Sequence, residues 1–179
     1  MTSRRVILVA VVAVIVFVLD RITKNAVDAS IPLGSSVEVV GEWVRISHVT
    51  NTGAAFGLLP GGTALLSVLS VVAVFAIVFY YRRLAAGSPL IAVTLGMQLG
   101  GALGNLVDRI GQGYVVDFVD VGIPGGPRFW AFNVADSSIV VGIIAVTALL
   151  WWQERAVGTT AMLTATSGPE RPSPVEPRE

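Results

Sequence analysis

The sequence FNVADSSIVVGIIAVTALLWW, from Phe132 to Trp152, places an acidic residue at the edge of an apolar run. A helix rises about 1.5 Å per residue, so the hydrocarbon core of a bilayer, about 30 Å thick, needs about 20 residues. From Ile139 onward the run is apolar enough to lie in lipid. Asp136 lies at its start, beside two serines and just after Asn133. A carboxylate at the mouth of a membrane helix therefore needs an explanation.

The composition of the whole chain is that of a membrane protein. Of its 179 residues, 54% are hydrophobic and 13% are charged, whereas soluble domains have about 25% charged residues. The net charge is zero, so no nucleic-acid partner is expected. The chain has no cysteine and one histidine, which excludes disulfides, thiol nucleophiles and a multi-histidine metal site within one chain. We expect no cofactor and no metal.

Four stretches predict transmembrane helices. They lie at about residues 6–26, 63–81, 89–107 and 134–152. The first has an apolar core, Val6–Leu19, that is too short alone, and a full span must include Asp20 and Lys24. Arginines followed by such a core also fit a cleaved signal peptide, but the sequence AVDAS beyond it is a poor cleavage site.

The sequence thus predicts an all-α membrane protein with four transmembrane helices in residues 1–155. Residues 156–179 are predicted to be a disordered, proline-rich cytoplasmic tail. Arginines flanking the short loops indicate that both termini are cytoplasmic, although three arginines in the longer connections oppose a strict count. All six aspartates fall at or near the outer side.

The first outer connection is predicted to form a small β-sheet or hairpin between helices 1 and 2. The sequence SVEVVGEWVRISHVTN, Ser36–Asn51, interleaves polar and apolar residues as a sheet lying on the membrane would. We expect His48, which has no partner motif, at the surface. The following AAFGLLPGG, Ala54–Gly62, is expected to turn back toward lipid. In the third span, Ala92, Gly96, Gly100 and Gly104 place small residues on one face, which favours close helix packing.

Two aspartates, Asp117 and Asp136, lie in apolar sequence near predicted membrane boundaries. Capping explains Asp136 alone: with Asn133 as the N-cap of helix 4, a carboxylate in the first turn stabilises the helix by about 0.3–1 kcal/mol. A chemical explanation needs both residues. Two carboxylates held close together do not both ionise easily, so one can act as an acid while the other activates water. Such a pair can hydrolyse a peptide bond without a metal, serine or cysteine.

Other polar groups have structural and functional interpretations that the sequence leaves open. Asp20 and Lys24 are spaced as an i, i+4 pair on helix 1, and they form either a salt bridge reaching toward the surface or part of a site. Asn51, in NTGAAFG, offers an amide beside a glycine-containing turn. In GNLVDR, Gly104–Arg109, Asn105 can form a hydrogen bond between helices, and Asp108 and Arg109 can form an interfacial ion pair. Alternatively, the three residues form a polar shell that orients the substrate backbone and the two carboxylates.

Five sequence blocks in order resemble the lipoprotein signal peptidase (signal peptidase II) family of bacterial inner-membrane aspartyl proteases. The blocks are DRITK, NTGAAFG, GGALGNLVDR, VVDFVDV and FNVADSS, and the resemblance covers most of the chain, from about Val6 to Trp152. The resemblance implies four transmembrane helices, a small extracytoplasmic β-sheet and a short helical segment over the site. It implies removal of signal peptides by cleavage N-terminal to a diacylglyceryl-modified cysteine, at the outer face of the membrane.

The resemblance also assigns residues. Asp117 and Asp136 match the catalytic pair. The substrate-binding or supporting positions match Asp20, Lys24, Asn51, Gly53, Asn105, Asp108, Arg109 and Asn133. Asp120 matches no position to which a role is assigned. The implied partners are a diacylglyceryl-prolipoprotein substrate, membrane lipid and the inhibitor globomycin, and a monomer is expected. The competing interpretation is a small membrane transporter or channel subunit that uses the buried charges as a polar path.

Overall fold

The computed structural model describes residues 3–53, 61–84 and 88–166. The helices in this part of the chain are α1 Ser3–Ser30, α2 Thr63–Leu84, α3 Pro89–Gln112 and α4 Val134–Thr166. Each contains a stretch long and apolar enough to cross a membrane. The prediction of four transmembrane helices is therefore confirmed. Three of the four begin at the residue where the predicted span begins, and all four continue beyond the predicted ends.

The chain divides into two compact units after Val146. In the second unit α4 continues to Thr166, so the beginning of the predicted disordered tail is helical. There the Arg155 guanidinium lies 3.9 Å from the centre of the Trp151 ring. Residues 167–179, which carry most of the prolines of the predicted tail, lie outside the described residues.

The limits of α3 follow from its terminal residues. The Ser88 side chain is the N-cap and accepts a hydrogen bond from the Leu90 N–H, and Pro89 occupies the first turn, where no N–H is needed. At the other end Gly113 has φ 82° and donates its N–H to the Arg109 carbonyl. Glycine takes this left-handed conformation without steric cost. The helix thus ends just before the strand that begins at Val115.

The small residues of α3 allow α1 to approach closely, as predicted. A Cβ added at Gly100 would lie 2.5 Å from the Ala13 carbonyl oxygen, and one at Gly96 would lie 2.8 Å from the Val9 carbonyl oxygen. A Cβ at Gly104 would lie 2.5 Å from Oδ2 of Asp20. Gly104 therefore makes room for the carboxylate that α1 carries toward the site.

A three-stranded antiparallel sheet has the order β1–β2–β3. Its strands are β1 Ser36–Val40, β2 Val44–Asn51 and β3 Val115–Val121. The predicted hairpin between helices 1 and 2 is confirmed, but the third strand comes from the connection between α3 and α4, which we did not predict as a strand. Val116 and Phe118 of β3 pack with Val27 of α1 in a small buried core. This core fixes the sheet against the end of α1.

The expectation that His48 lies at the surface is wrong. His48 is buried, with its Nδ1 atom 2.8 Å from the Ile31 carbonyl oxygen and its Nε2 atom 3.5 Å from Oδ1 of Asp28. It lies at a register irregularity of β2, between Ile46 and Val49. The imidazole joins the sheet to the end of α1, a contact that local sequence does not reveal.

One segment with a sequence prediction lies partly outside the described residues. Residues 54–60, which form most of the stretch expected to turn back toward lipid, are among those not described. The short helical segment implied by the resemblance does not occur in residues 3–53, 61–84 or 88–166.

Candidate active site

β3 and α4 bring the two aspartates of the sequence analysis to one cavity. Asp117 lies in the middle of β3, and Asp136 lies in the first turn of α4. Both line a cavity of about 370 Å³, together with Asn51 and Arg109. The rest of its wall is mostly apolar. The sheet and the four-helix part of the chain thus meet where the two carboxylates lie.

Two amides hold Asp117. Asn133 donates a hydrogen bond from Nδ2 to Oδ1 of Asp117 at 2.6 Å, and Asn51 donates from Nδ2 to Oδ2 at 2.8 Å. The Gly53 N–H donates to Oδ1 of Asn51 at 2.9 Å, which fixes the orientation of that amide. Asp117 is 2% exposed. Every residue of this group was named as a candidate from the sequence.

The surroundings of Asp117 favour its protonated form far more than those of an exposed aspartate. The pKa of Asp117 is raised from 3.8 to about 7, first by burial and then by the negative charge of Asp136. The hydrogen bonds from Asn51 and Asn133 act in the opposite direction, because they favour the ionised carboxylate. Desolvation is the largest of these effects.

Asp136 and Asn133 cap α4 reciprocally. The Asp136 N–H donates to Oδ1 of Asn133 at 2.9 Å, and the Asn133 N–H donates to Oδ2 of Asp136 at 3.2 Å. This is the capping-box arrangement. Asn105 donates from Nδ2 to Oδ1 of Asp136 at 2.7 Å. The capping explanation for Asp136 is therefore correct, and it does not compete with the chemical one, because the same asparagine also holds Asp117.

Beneath the cavity, Lys24 is the centre of a buried ionic cluster. Its Nζ atom lies 2.8 Å from Oδ2 of Asp20 and 2.7 Å from Oδ2 of Asp108, and it donates to Oδ1 of Asn105 at 2.9 Å. Arg21 forms a second ion pair with Asp108. Lys24 is 1% exposed. The interpretation of Lys24 and Asp20 as a pair reaching toward the surface is therefore wrong.

The cluster connects α1 to the first turn of α4. Oδ1 of Asp20 accepts the Ala135 N–H at 3.0 Å, immediately before Asp136. Lys24 and Asp136 bind opposite ends of the Asn105 amide, so the amide cannot turn over without losing both bonds. Asp108, the acidic residue of the interfacial ion pair suggested for GNLVDR, pairs instead with Arg21 and Lys24 of α1. Lys24 thus orients the carboxylate of Asp136 through the Asn105 amide, and Asp20 holds the helix turn that carries it.

Arg109 projects from the last turns of α3 into the cavity. It is half-buried, and its Nε atom has no hydrogen-bond partner in the described part of the chain. Its positive charge interacts with both Asp136 and Asp117. An arginine in this position can offer N–H donors to a substrate while it offsets the negative charge of the pair.

The sequence analysis did not identify the aromatic wall of the cavity. Phe129, Trp130 and Phe132, in the loop between β3 and α4, line it. Arg128 anchors this loop, with Nε donating to Oδ1 of Asp120 at 2.8 Å. The sequence signal was present, since an aromatic cluster precedes the capping residue of α4.

Asp120, whose role the sequence left open, has two partners. It pairs with Arg128, and its Oδ2 atom accepts a hydrogen bond from the Ser47 hydroxyl at 3.0 Å. These contacts tie the loop to the sheet. Asp120 is therefore a structural residue of the loop anchor and is separate from the carboxylate pair.

The arrangement defines a class of protein. Two carboxylates in different surroundings share one cavity next to membrane-spanning helices, and one of them has its pKa raised to about 7. A protonated and an ionised carboxylate in one site can act as acid and base on a peptide bond and a water molecule. Such a pair beside membrane-spanning helices is what a membrane aspartic peptidase requires.

Comparisons with known proteins agree with this class. The family model described as signal peptidase (SPase) II matches residues 12–152. The lipoprotein signal peptidase of Halothermothrix orenii is 39% identical over 83% of this chain and 98% of its own length. That of Moorella thermoacetica is 39% identical over 79% of this chain and 88% of its own length.

A solved structure is similar throughout. A bacterial membrane enzyme determined at 2.3 Å by the in meso method matches with a TM-score of 0.71 and 30% identity, covering 94% of each chain. The chain belongs to the signal peptidase II family of aspartic peptidases, which cleaves signal peptides from prolipoproteins.

Proposed function

We propose that this chain hydrolyses the peptide bond on the N-terminal side of the diacylglyceryl-modified cysteine of prolipoproteins, with Asp117 and Asp136 as the catalytic pair. The observation that carries the proposal is that the two carboxylates line one cavity but differ in their surroundings. Asp117 is held by two side-chain amides and is almost fully buried, whereas Asp136 is half-buried at a helix N-terminus.

The difference assigns the roles of acid and base. Asp117 retains a proton near neutral pH and donates it to the scissile carbonyl oxygen, while ionised Asp136 accepts a proton from the attacking water. The tetrahedral intermediate then collapses. Asp136 gives its proton to the departing amine of the cysteine, and Asp117 takes back the proton of the former carbonyl oxygen. Both carboxyls return to their initial protonation states.

The remaining candidate residues position this pair. Asn133 and Asn51 orient Asp117, and Asn105 orients Asp136. Arg109 lies where it can bind the backbone of the substrate near the scissile bond. The cluster of Asp20, Lys24 and Asp108, all buried, holds Asn105 and the first turn of α4 in place.

The apolar spans set the place of the reaction. The acyl chains of the substrate stay in the bilayer, and the scissile bond lies at the outer boundary, where the carboxylates and water are both within reach. We propose that both termini are cytoplasmic, because arginines flank the short loops. We also propose that the chain acts as a monomer and that globomycin competes for the same cavity.

A cleavage assay with purified protein tests the reaction. The substrate is a prolipoprotein peptide whose cysteine carries diacylglycerol, and the same peptide without lipid is the control. We expect mass spectrometry to detect a product that begins at the lipidated cysteine, and no product from the control. Equal cleavage of both peptides would contradict the lipid requirement, and no cleavage of either would contradict the proposed activity.

The absence of cysteine makes the orientation testable. Single cysteines at Glu38, which lies in β1, and at Arg4, near the start of α1, can be labelled with a membrane-impermeant maleimide. We expect Glu38→Cys to react in intact spheroplasts and Arg4→Cys to react only after permeabilisation. The reverse pattern would invert the topology.

The transporter interpretation is not favoured, because the chain belongs to a peptidase family.

A further inference from the structure

A second cavity, of about 330 Å³, lies between α2, α3 and α4 in their membrane-spanning segments. Leu66 and Leu69 of α2 and Ile139 and Ile143 of α4 contribute to its apolar walls. Asp136 lines this cavity as well as the first one. A substrate bound at the carboxylate pair can therefore extend part of itself into the second cavity.

One face of α3 supplies the polar side of this cavity. Gln98, Ala102, Asn105 and Arg109 all line it, at the spacing of residues that share a helix face. Asn105 and Arg109 belong to the site described above. Gln98 lies seven residues before Asn105, which corresponds to about 10 Å along the helix and deeper into the span. A polar side chain at this depth suggests a function.

The side-chain amide of Gln98 has an unused donor. Its Nε2 atom is buried and has no hydrogen-bond partner in the described part of the chain. Hydroxyl groups nearby are satisfied by their own helices: Thr94 donates to the Ile91 carbonyl at 2.9 Å, and Ser70 donates to the Leu66 carbonyl at 2.8 Å. A buried donor without an acceptor is costly, and a ligand in the cavity can supply the acceptor.

The neighbouring helix accommodates this amide. A Cβ added at Gly142 of α4 would lie 2.8 Å from Cγ of Gln98 and 3.4 Å from its Nε2 atom. Glycine at this position therefore leaves the space that the glutamine side chain occupies. The amide can turn about its last torsion angle, so Nε2 can be presented to an acceptor in the cavity.

We infer that Gln98 donates a hydrogen bond to a carbonyl oxygen of the substrate segment that occupies this cavity. The inference rests on the proposed function. Such a carbonyl has two sources within reach of the carboxylate pair. An extended peptide spans about 3.3–3.6 Å per residue, so a backbone carbonyl about three residues from the scissile bond reaches the depth of Gln98. An ester carbonyl of the diacylglyceryl group lies at a similar distance, through the cysteine side chain.

The test compares Gln98→Met with the wild type on two lipidated peptides. Methionine has a similar length and removes the donor. One peptide carries the diacylglyceryl group, and the other carries a dialkylglyceryl group, in which ether linkages replace the ester carbonyls. Thr94→Val is the matched control. Thr94 is on the same helix as Gln98, its hydroxyl donates to the Ile91 carbonyl of that helix, and it lines neither cavity. Gln98→Leu is a second variant in case methionine disturbs the packing against Gly142.

We expect Gln98→Met to raise KM about threefold to tenfold at unchanged kcat, the size of one interhelical hydrogen bond in a membrane, while Thr94→Val stays at the wild-type value. A loss confined to the ester-linked peptide assigns the acceptor to the diacylglyceryl group. An equal loss on both peptides assigns it to the peptide backbone. Unchanged KM on both peptides overturns the inference alone, whereas failure of the wild type to cleave either overturns the proposed function with it.

Discussion

Asn133 performs two tasks that a single substitution can separate. Its Oδ1 atom caps α4 by accepting the Asp136 N–H, and its Nδ2 atom donates to Asp117 at 2.6 Å. Asn133→Ser keeps a good N-cap, because serine and asparagine cap about equally well. The serine side chain is too short to replace the amide donor. The variant therefore removes the short bond to Asp117, with the longer 3.3 Å contacts of Nδ2 to Oδ1 of Asn105 and the Val116 carbonyl, and it preserves the start of the helix.

The size of the effect follows from the bond that is removed. A hydrogen bond to a charged group contributes about 1.5–3 kcal/mol, and each 1.4 kcal/mol is about a tenfold change. If the amide stabilises the ionised form of Asp117 that recurs in each cycle, kcat/KM falls about 10- to 150-fold. The bond from Asn133 lowers the pKa of Asp117, so its removal raises that pKa further. The alkaline limit of activity then moves to higher pH.

The assay is kcat/KM for the lipidated peptide between pH 5 and about 9, with folding checked by size-exclusion chromatography and thermal unfolding. The matched control is the reverse exchange, Ser88→Asn, at the N-cap of α3, which lies far along that helix from Asn105. We expect the control to retain wild-type kinetics. A folded Asn133→Ser variant with the wild-type rate and pH profile would refute the reasoning, and so would an equal loss in Ser88→Asn.

Three further predictions concern the wild-type pH profile, the ionic cluster and the helix packing. In the proposed mechanism Asp117 donates its proton, and its pKa is about 7, so kcat/KM of the wild type should fall about tenfold per pH unit above that value; a flat profile to pH 9 would contradict this role. Lys24→Met leaves two buried carboxylates without their shared cation and should lower the free energy of unfolding by about 3–5 kcal/mol, measured by thermal or denaturant unfolding in detergent; a stable variant would disprove the importance of the cluster. Gly100→Ala should lower stability by about 1–3 kcal/mol through overpacking against α1, whereas Gly111→Ala, with open space around it, should not; equal melting temperatures of the two variants would contradict the packing argument.

The helices could be predicted because their signals are local. Apolar runs of sufficient length mark the spans, and Pro89 and Asn133 mark where two of them begin. The spacing of small residues on α3 likewise predicted the face that packs on α1. The candidate site residues were also named from local motifs. Asn51, Arg109, Asp117 and Asp136 line one cavity, and hydrogen bonds and ion pairs connect the other candidates to them.

The missing features depend on contacts between distant parts of the chain. The sequence VVDFVDV of β3 is apolar on both faces for most of its length, so it lacks the alternation that indicates a half-exposed strand. Two partners of Lys24, Asn105 and Asp108, lie on α3, more than 80 residues away. His48 was misjudged for the same reason, since its burial depends on Ile31 and on an irregular strand register.

The catalytic role of the two aspartates is the central claim, and isosteric replacement tests it most directly. Wild type, Asp117→Asn and Asp136→Asn are compared in single-turnover cleavage of the lipidated peptide, with Asp28→Asn, an exposed aspartate of α1, as the matched control. The account predicts that both site variants remain folded in the membrane and give no detectable product, while the control cleaves at the wild-type rate. Cleavage by either folded site variant within about tenfold of the wild-type rate would contradict it.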